Sequence, residues 1–323
     1  MDKKLASIIK YFAVFDYFPS FEDVYTFFPE KIDKKTLKYA FESKKYTPPQ
    51  YSTMKKISNI KYQISKRKLK NWRYKIYVKL LSLFPQIKLV GLSGSISMMN
   101  AKKDDDIDLF IITAKKRLFT GRFITLVLAQ LIGLRRLRHA RGQNFLSPVG
   151  TLPAGNGESQ VAKNFNPSLS SNNETMKQWS NHIRNKVCLN LFFDEKNLKV
   201  PKFKQTEFVG HEVLQMKPII VKDNVYERFL QENEWVFGLF PNSKSKIQSS
   251  NVKLNPKSKA QKFGFKILSL ICHLDFVIWI FNKTESFLKN LQLTLINRHR
   301  TTEIITNTQL WFHPDDFEKK IKL

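Results

Sequence analysis

The fold expected for this chain is decided by two short stretches, VGLSGSI at residues 90–96 and DDDIDLFII at residues 104–112. Their β-branched and other apolar residues predict one strand at Ile87–Leu92 and a second at Ile107–Thr113. The first strand leads into a Gly-Ser turn, and the second opens on an Asp-x-Asp motif ten residues later. This order of features is far more specific than a Gly-Ser pair alone, which ordinary turns supply in most proteins.

The acids are concentrated in the second stretch. Asp104, Asp105, Asp106 and Asp108 are the only acidic residues between positions 43 and 157, although Lys and Arg are abundant there. Four carboxylates close together repel one another, so a cation is their natural partner. The alternative is a solvated turn whose charges cap a strand.

Asp106 and Asp108 flank Ile107 at the start of the second predicted strand. Because residues two apart in a strand face the same side, both carboxylates should project together while Ile107 faces the core. Two carboxylates on one side form a hard-oxygen site that suits Mg²⁺, which often binds through one or two carboxylates and substrate phosphates. Upstream, Gly94 lets the backbone approach a ligand closely, and free N–H groups with the Ser95 hydroxyl can hold phosphate oxygens.

The spacing of these residues resembles the signature of the DNA polymerase β-like nucleotidyltransferase superfamily. The resemblance is close over residues 87–113 and continues to residue 193 in the order of elements. The chain is also similar to uncharacterised bacterial proteins in which a winged-helix-like region precedes such a domain. The resemblance implies an α+β fold, with a small mixed sheet flanked by helices.

The same resemblance implies a chemistry. Gly94 and Ser95 would hold the phosphates of an NTP such as ATP, and Asp106 and Asp108 would bind Mg²⁺ or Mn²⁺. The reaction would be two-metal in-line displacement at the α-phosphate, which transfers NMP to an unidentified hydroxyl acceptor.

The chain departs from the family pattern at a third carboxylate, which many active members carry on a later strand. Residues 187–193 are expected to form that strand, and its middle residue is Asn190, whereas Asp194 and Glu195 lie at its end. If Asn190 takes the third position, the metal pocket lacks one charge. The alternative function is therefore a nucleic-acid-binding regulator whose degenerate transferase domain only senses nucleotide.

Composition bears on partners and on location. Lys and Arg number 55 against 27 Asp and Glu, and the formal net charge of +28 suits nucleic acid or nucleotides. A Lys-rich composition inherited from the genome is the alternative explanation.

The two cysteines, Cys188 and Cys272, exclude a disulfide scaffold and fit a reducing cytosol. The apolar runs at 118–134 and 267–281 are interrupted or too short to span a bilayer, so we expect a cytoplasmic protein without a membrane partner.

Three regions are expected along the chain. They are a winged-helix-like domain of three short helices and a β-hairpin (residues 1–62, with the hairpin at 46–60), a nucleotidyltransferase domain (63–240) with a disordered insertion (139–180), and a basic linker with a helical region (241–323). A generic helical cap on the larger domain is the alternative interpretation of the first region. Four longer helices are expected at residues 63–84, 118–137, 223–237 and 263–290, together with a shorter one at Glu207–Gln215.

The helix at 63–84 is strongly basic and could track phosphates, although a solvated linker helix is the simpler explanation. Its apolar stripe is expected to comprise Trp72, Ile76, Leu80 and Leu83.

Weaker candidates are more simply explained by structural roles. His211, Lys217 and Lys222 could contact a phosphate, but a structural histidine and solvated lysines are more common. The tryptophans are expected in the core (Trp72, Trp235 and Trp279), and Cys188 should face a strand interior. Neither a Walker P-loop nor a dinucleotide-binding glycine fingerprint occurs in the sequence.

Overall fold

A six-stranded mixed sheet forms the centre of the computed structural model, which describes residues 1–43, 51–135, 185–244, 285–298 and 302–312. The strands lie in the order β4-β1-β2-β3-β6-β5. β2 and β3 pair in parallel, and the other neighbouring strands pair antiparallel. The strands are β1 (Ile87–Leu92), β2 (Ile107–Thr113), β3 (Val187–Asp194), β4 (Lys217–Val221), β5 (Ile304–Ile305) and β6 (Gln309–Trp311). This architecture confirms the α+β class.

Helices cover both faces of the sheet. They are α1 (Asp2–Ala13), α2 (Phe21–Thr26), α3 (Lys34–Ser43), α4 (Tyr51–Lys70), α5 (Trp72–Leu83), α6 (Gly94–Ser97), α7 (Leu118–Leu131), α8 (Glu207–Gln215), α9 (Val225–Glu232), α10 (Trp235–Leu239) and α11 (Glu285–Asn297). α5, α7 and α11 share one hydrophobic core with the sheet, and α8, α9 and α10 share a second core on the opposite face. α1, α2 and α3 enclose a third core, which reaches the second through Phe208 and Leu214 of α8.

β1 and β2 have the bounds expected from the sequence. Both strands lie inside the sheet and are buried on both faces, which explains why each reads as an almost continuous apolar run. In β2, Ile107 and Ile111 enter the first core, whereas Phe110 and Ile112 enter the second. The alternation expected for the start of β2 is therefore confirmed.

The three N-terminal helices are confirmed, but the hairpin expected at 46–60 is wrong from Tyr51 onward, because α4 begins there. Residues 46–50 lie outside the described residues. The buried side of α4 carries Lys61, Ile64, Ser65 and Lys68, which recur at helical spacing. Two lysines in the buried stripe concealed the helical period from a search for apolar residues.

The single helix expected at 63–84 is two helices. Asn71 separates them, because its side-chain oxygen accepts hydrogen bonds from the N–H groups of Arg73 and Tyr74 and so caps α5. The expected apolar stripe is also wrong: Trp72 is 63% exposed, and the buried side of α5 carries Tyr74, Tyr77 and Leu81.

Other boundaries differ from expectation. The helix expected at 118–137 ends at Leu131, and Gly133 follows with a φ of +73°. The helix expected at 223–237 divides at Asn233, whose side chain bonds the backbone of Val200, Leu198 and Phe229. Trp235 is partly buried against the second core.

Several expectations fall outside the described residues. They are the disordered insertion at 139–180, the linker beyond residue 244, the helix at 263–284, Trp279 and Cys272. The expected domain boundaries stay predictions. Within the described ranges, no helix combines the length and the apolar character that crossing a membrane requires.

Candidate functional site

A cavity of about 620 Å³ opens where β1 ends and β2 begins. Its wall is built from the end of α1, the turn after β1, strands β2, β3 and β6, and the inner side of α8. Six carboxylate side chains line it: Asp16, Asp104, Asp105, Asp106, Asp108 and Glu212. Two lysines, Lys102 and Lys204, line it as well, so the cavity is acidic within a chain of net charge +28.

Asp106 and Asp108 both line this cavity, whereas Ile107 between them is fully buried in the first core. Asp106 is itself buried, at 7% exposure. Burial raises the pKa of Asp108 to about 7, and the neighbouring charges of Glu212, Asp106 and Asp105 act in the same direction. A hydrogen bond with Cys188, which lies opposite Asp108 in β3, acts in the other direction. The free carboxylates therefore repel one another strongly.

Gly94 lies against Asp108 in the wall of the cavity. Its φ is +59°, and a Cβ atom on it would lie 2.8 Å from Oδ2 of Asp108. A side chain here would therefore be strained by the backbone and crowded by the carboxylate. The expected approach of the Gly94 backbone to a ligand stays a prediction, and the close neighbour that the structure shows is the Asp108 carboxylate.

Glu212 is a third carboxylate that the sequence interpretation missed. Its Oε2 accepts a hydrogen bond from the backbone N–H of Gly94 at 3.1 Å. Burial raises the pKa of Glu212, and the Gly94 N–H opposes that shift. The residue belongs to α8, so this carboxylate comes from a helix, whereas the sequence interpretation sought a third carboxylate on β3. The clue was a lone glutamate between the buried Val209 and Val213, one position after the His211 that attracted attention.

Asn190 is not among the residues that line the cavity, although its strand contributes to the wall. Its backbone oxygen accepts a hydrogen bond from the Phe312 N–H at 2.8 Å. Asp194 accepts hydrogen bonds from the N–H groups of Arg117 and Lys196. Glu195 pairs with Arg228. These candidates for a third carboxylate therefore have structural contacts away from the cavity.

Ser95 and Asp105 shape the turn that carries the acids. The Ser95 hydroxyl donates to Oδ2 of Asp105 at 3.1 Å, and the Lys102 N–H donates to the same oxygen at 2.8 Å. The fully buried ammonium of Lys68 donates to the backbone oxygens of Lys103 and Asp105 at 2.8 and 2.6 Å. A basic residue of the helix expected to track phosphates therefore fixes this turn.

The end of α1 closes one side of the cavity. The Asn100 side chain donates to the backbone oxygen of Phe15 at 3.0 Å, and Lys61 donates to that of Asp16 at 2.8 Å. The Asp16 carboxylate lies 3.1 Å from the Lys102 ammonium, and that hydrogen bond lowers the pKa of Asp16. The N-terminal helices are thus fastened to the acid-bearing turn.

Another part of the cavity wall is apolar. Six side chains define what we call the apolar chamber: Phe110, Leu191, Phe193, Val213, Phe229 and Trp311. The rings of Phe110 and Phe193 lie 5.1 Å apart, those of Phe110 and Phe229 lie 5.2 Å apart, and those of Phe193 and Trp311 lie 5.3 Å apart. One cavity therefore joins a cluster of carboxylates to an aromatic compartment.

His211, Lys217 and Lys222 do not line the cavity. His211 is buried between the rings of Tyr11 and Phe27, with centroids 4.0 and 4.1 Å away, and burial lowers its pKa to about 3. Lys222 donates to the backbone oxygen of Phe84 at 2.8 Å, and burial lowers its pKa to about 8. Lys217 is exposed on an edge strand.

The donors present fit a divalent cation with two protein ligands. Among the described residues, no group of three or more His, Cys, Asp or Glu side chains is arranged to hold a metal ion. Mg²⁺ often takes only one or two carboxylates and completes its shell with water and substrate phosphates, which Asp106 and Asp108 match. A cation beside them would also offset the burial and the neighbouring charges that raise the pKa of Asp108.

Comparison of the chain with protein-family models, curated proteins and solved structures found no match. Its function must therefore be inferred from the residues of the cavity and from the spacing between Gly94-Ser95 and Asp106-Ile107-Asp108.

Proposed function

We propose that the protein is a Mg²⁺-dependent nucleotidyltransferase that moves NMP from an NTP to a hydroxyl acceptor in this cavity. The proposal depends on one observation above all: the cavity brings Gly94, Asp106 and Asp108 together, as the sequence spacing requires. Mn²⁺ could replace Mg²⁺, since both take carboxylate and phosphate oxygens. The reaction is placed in the cytoplasm, which supplies NTP and Mg²⁺ and fits the low cysteine content.

In the proposed reaction, the acceptor oxygen attacks the α-phosphorus while the bond to the β-phosphate oxygen breaks and pyrophosphate leaves. Asp106 and Asp108 would hold the cation, and the bound cation would neutralise phosphate charge. The turn at Gly94 and Ser95 would bind phosphate oxygens. Because the Gly94 N–H donates to Glu212, a phosphate oxygen must displace that carboxylate to reach this donor.

Glu212 also bears on the choice between transferase and regulator. The case for a degenerate, nucleotide-sensing domain was the apparent loss of the third carboxylate. Glu212 supplies a carboxylate beside Gly94 and close enough to Asp108 to raise its pKa, so the acidic character of the site is retained. This contact favours the enzyme over the regulator.

The test is transfer from each labelled NTP with Mg²⁺, with and without cell RNA, by the wild-type protein and by Asp106→Asn and Asp108→Asn. We expect each substitution to lower transfer by about 100-fold or more, because it removes a charge that holds the cation. Both variants should fold, with slightly raised thermal stability, because the substitutions relieve repulsion between carboxylates. Asp104→Asn is the control: Asp104 is exposed in the turn, and its loss should change transfer little. Full transfer by the double variant Asp106→Asn/Asp108→Asn would refute the assignment.

A further inference from the structure

The side of β2 that faces the cavity changes from acidic to apolar along the strand. Asp106, Asp108 and Phe110 alternate with core residues and line the same cavity. Since a strand advances about 3.3 Å per residue, the aromatic ring follows the second carboxylate by about 7 Å along the strand. The carboxylates and the apolar chamber are therefore neighbouring parts of one binding site.

The apolar chamber offers nothing to a polar ligand. Among its six side chains, the nitrogen of Trp311 is the single polar atom, and it donates to Gln309 Oε1 at 3.2 Å. Five of the six side chains are almost completely removed from bulk solvent, with exposures of 1–7%. A group with unpaired donors or acceptors would lose its hydration here without replacement, at a cost of several kcal/mol.

The size of the cavity argues for an occupant. Protein interiors are packed as densely as organic crystals, and voids larger than a water molecule are few. A cavity of about 620 Å³ that reaches into the second hydrophobic core is within the range of small-molecule sites.

We infer that the apolar chamber binds the acceptor, and that the acceptor is a small molecule with an apolar body and a hydroxyl group. This inference rests on the proposed function. The hydroxyl lies at Asp106 and Asp108, and the body fills the chamber. The acceptor oxygen forms a bond to the α-phosphorus, its proton passes to a carboxylate of the cavity, and pyrophosphate leaves. The product is a phosphodiester between the apolar alcohol and the nucleoside.

The nucleobase and RNA are poorer occupants of the chamber. A purine or pyrimidine ring would bury several nitrogen and oxygen atoms against side chains that cannot pair with them. An RNA acceptor would bring charged phosphates and ribose hydroxyls against the same apolar side chains, which cannot pair with them.

Binding can be tested separately from catalysis with N-phenyl-1-naphthylamine, a neutral apolar fluorophore that carries no phosphate. We expect saturable binding of one probe per protein chain. Val213→Phe should weaken binding by about tenfold or more, because it fills the chamber with a larger side chain. Val127→Phe is the matched control on the outer side of α7, where Val127 is 37% exposed, and its affinity should stay within about twofold of wild type.

Leu191→Phe provides a second filling variant if Val213→Phe fails to fold, and thermal unfolding reports folding for both. Probe binding should persist in Asp106→Asn and Asp108→Asn, since neither residue belongs to the chamber. Absence of saturable binding to the wild-type protein would refute the inference. Equal binding to Val213→Phe and Val127→Phe, or competitive displacement of the probe by an NTP, would refute it as well.

The acceptor class is tested with labelled NTP, Mg²⁺ and two primary alcohols, 2-(2-naphthyl)ethanol and glycerol, with cell RNA as a third acceptor. We expect transfer to the naphthyl alcohol, and a raised KM for that alcohol, but not for NTP, in Val213→Phe. Transfer to RNA or glycerol with no preference for the apolar alcohol would refute the inference and leave the proposed function standing. Probe binding without transfer to any acceptor would refute the proposed function and the acceptor role together.

Discussion

Gly94 offers the sharpest test at the scale of a single residue. Gly94→Ala should cost about 1–2 kcal/mol in the free energy of unfolding, because its φ is +59° and other residues are strained there. It should also abolish transfer, since the new methyl group would lie 2.8 Å from Asp108 Oδ2 and displace that carboxylate. Chemical denaturation and the NTP assay measure the two effects.

Gly133→Ala is the matched control. Gly133 also has a positive φ, +73°, but its nearest neighbour to an added Cβ is the Arg73 guanidinium at 3.7 Å. The control should therefore show a similar loss of stability with transfer retained. If both variants kept full transfer, crowding at Asp108 would not matter to the reaction.

The burial of His211 should make the free energy of unfolding of the protein depend on pH. Its pKa is lowered from 6.5 to about 3, so the folded protein binds fewer protons than the unfolded chain between these values. The free energy of unfolding should therefore fall as the pH drops from about 6.5 toward 3, by up to about 1.4 kcal/mol per pH unit from this residue. The titratable groups in contact with His211 are Tyr11, which stacks on it, and Glu207, whose Oε1 lies 4.0 Å from Nε2.

His211→Phe should remove that share of the pH dependence while keeping stability near pH 7. The aromatic rings around His211, those of Tyr11, Phe12, Phe27 and Phe240, form a cage that suits a phenyl ring. Denaturation curves of both proteins at pH 7, 6, 5 and 4 measure the difference. Parallel stability profiles for the two proteins would contradict the prediction.

The residues that sequence reasoning located are those whose neighbours in space are also neighbours in the chain. Gly94, Asp106 and Asp108 lie within fifteen positions of one another, and strand alternation places them correctly. Glu212 is brought beside Gly94 by the packing of α8 against the sheet, 118 positions later. No local pattern encodes that contact, so Glu212 was missed, as were Asp16 and the apolar chamber.

At the scale of elements, α11 is joined to the first turn of α7 by one carboxylate. Glu285 accepts hydrogen bonds from the N–H groups of Phe119 and Thr120 at 2.8 Å each, and from the Thr120 hydroxyl. These N–H groups have no partners within α7, and the helix dipole favours a negative charge there. The contact therefore fastens α11 to the face of the sheet that α7 covers.

Glu285→Gln should lower the free energy of unfolding by about 1 kcal/mol, and Glu285→Ala by about 2–3 kcal/mol. The amide keeps one acceptor but loses the charge, whereas alanine leaves the donors unpaired. Chemical denaturation measures both variants against Glu232→Gln, an exposed glutamate whose change should stay within about 0.5 kcal/mol. A loss no larger than that of the control would show that α11 is held by its other contacts, which include apolar packing and the hydrogen bonds of Gln292 with Arg122 and Phe119.

Elements buried on both faces were predicted well, and those at the edges were not. β1, β2 and β3 are mostly apolar, with one polar residue in the interior of each (Lys88, Asp108 and Asn190), so their sequences indicate strands without help from the rest of the fold. β4 contains Pro218 and lies at the edge of the sheet, where a proline is tolerated but weakens the strand pattern. β5 and β6 have two and three residues, too few for any period to emerge.

At the scale of the whole molecule, the charge is divided between a basic exterior and an acidic cavity. Lys66, Arg67, Lys70 and Arg73 are exposed on α4 and α5, whereas Lys61 and Lys68 of the same basic stretch are buried. The exposed residues could bind nucleic acid phosphates, and the buried ones cannot. The alternative is that the positive charge only reflects the Lys-rich composition of the chain and binds no specific partner.

Replacement of Lys66, Arg67, Lys70 and Arg73 by Ala should weaken binding to RNA or DNA of any sequence. The slope of log affinity against log salt concentration should flatten by up to about 3–4 units, because fewer counterions are released. The control removes four exposed lysines elsewhere, Lys31, Lys35, Lys196 and Lys199, and so changes net charge equally. Equal effects in the two variants would favour the compositional explanation.

Because β3 pairs with β6, the cavity wall cannot be completed during translation until β6 has been synthesised. Leu191 lies opposite Trp311 in the β3–β6 pair, and both side chains form part of the cavity wall. The ribosome finishes β3 roughly 10 s before it reaches Trp311. Throughout that interval the nascent chain has an unpaired strand edge beside exposed aromatic side chains. Such surfaces are bound by chaperones and promote aggregation. A ribosome stalled between these two strands would therefore hold a chain whose cavity wall is incomplete and which is prone to associate with other unfinished chains.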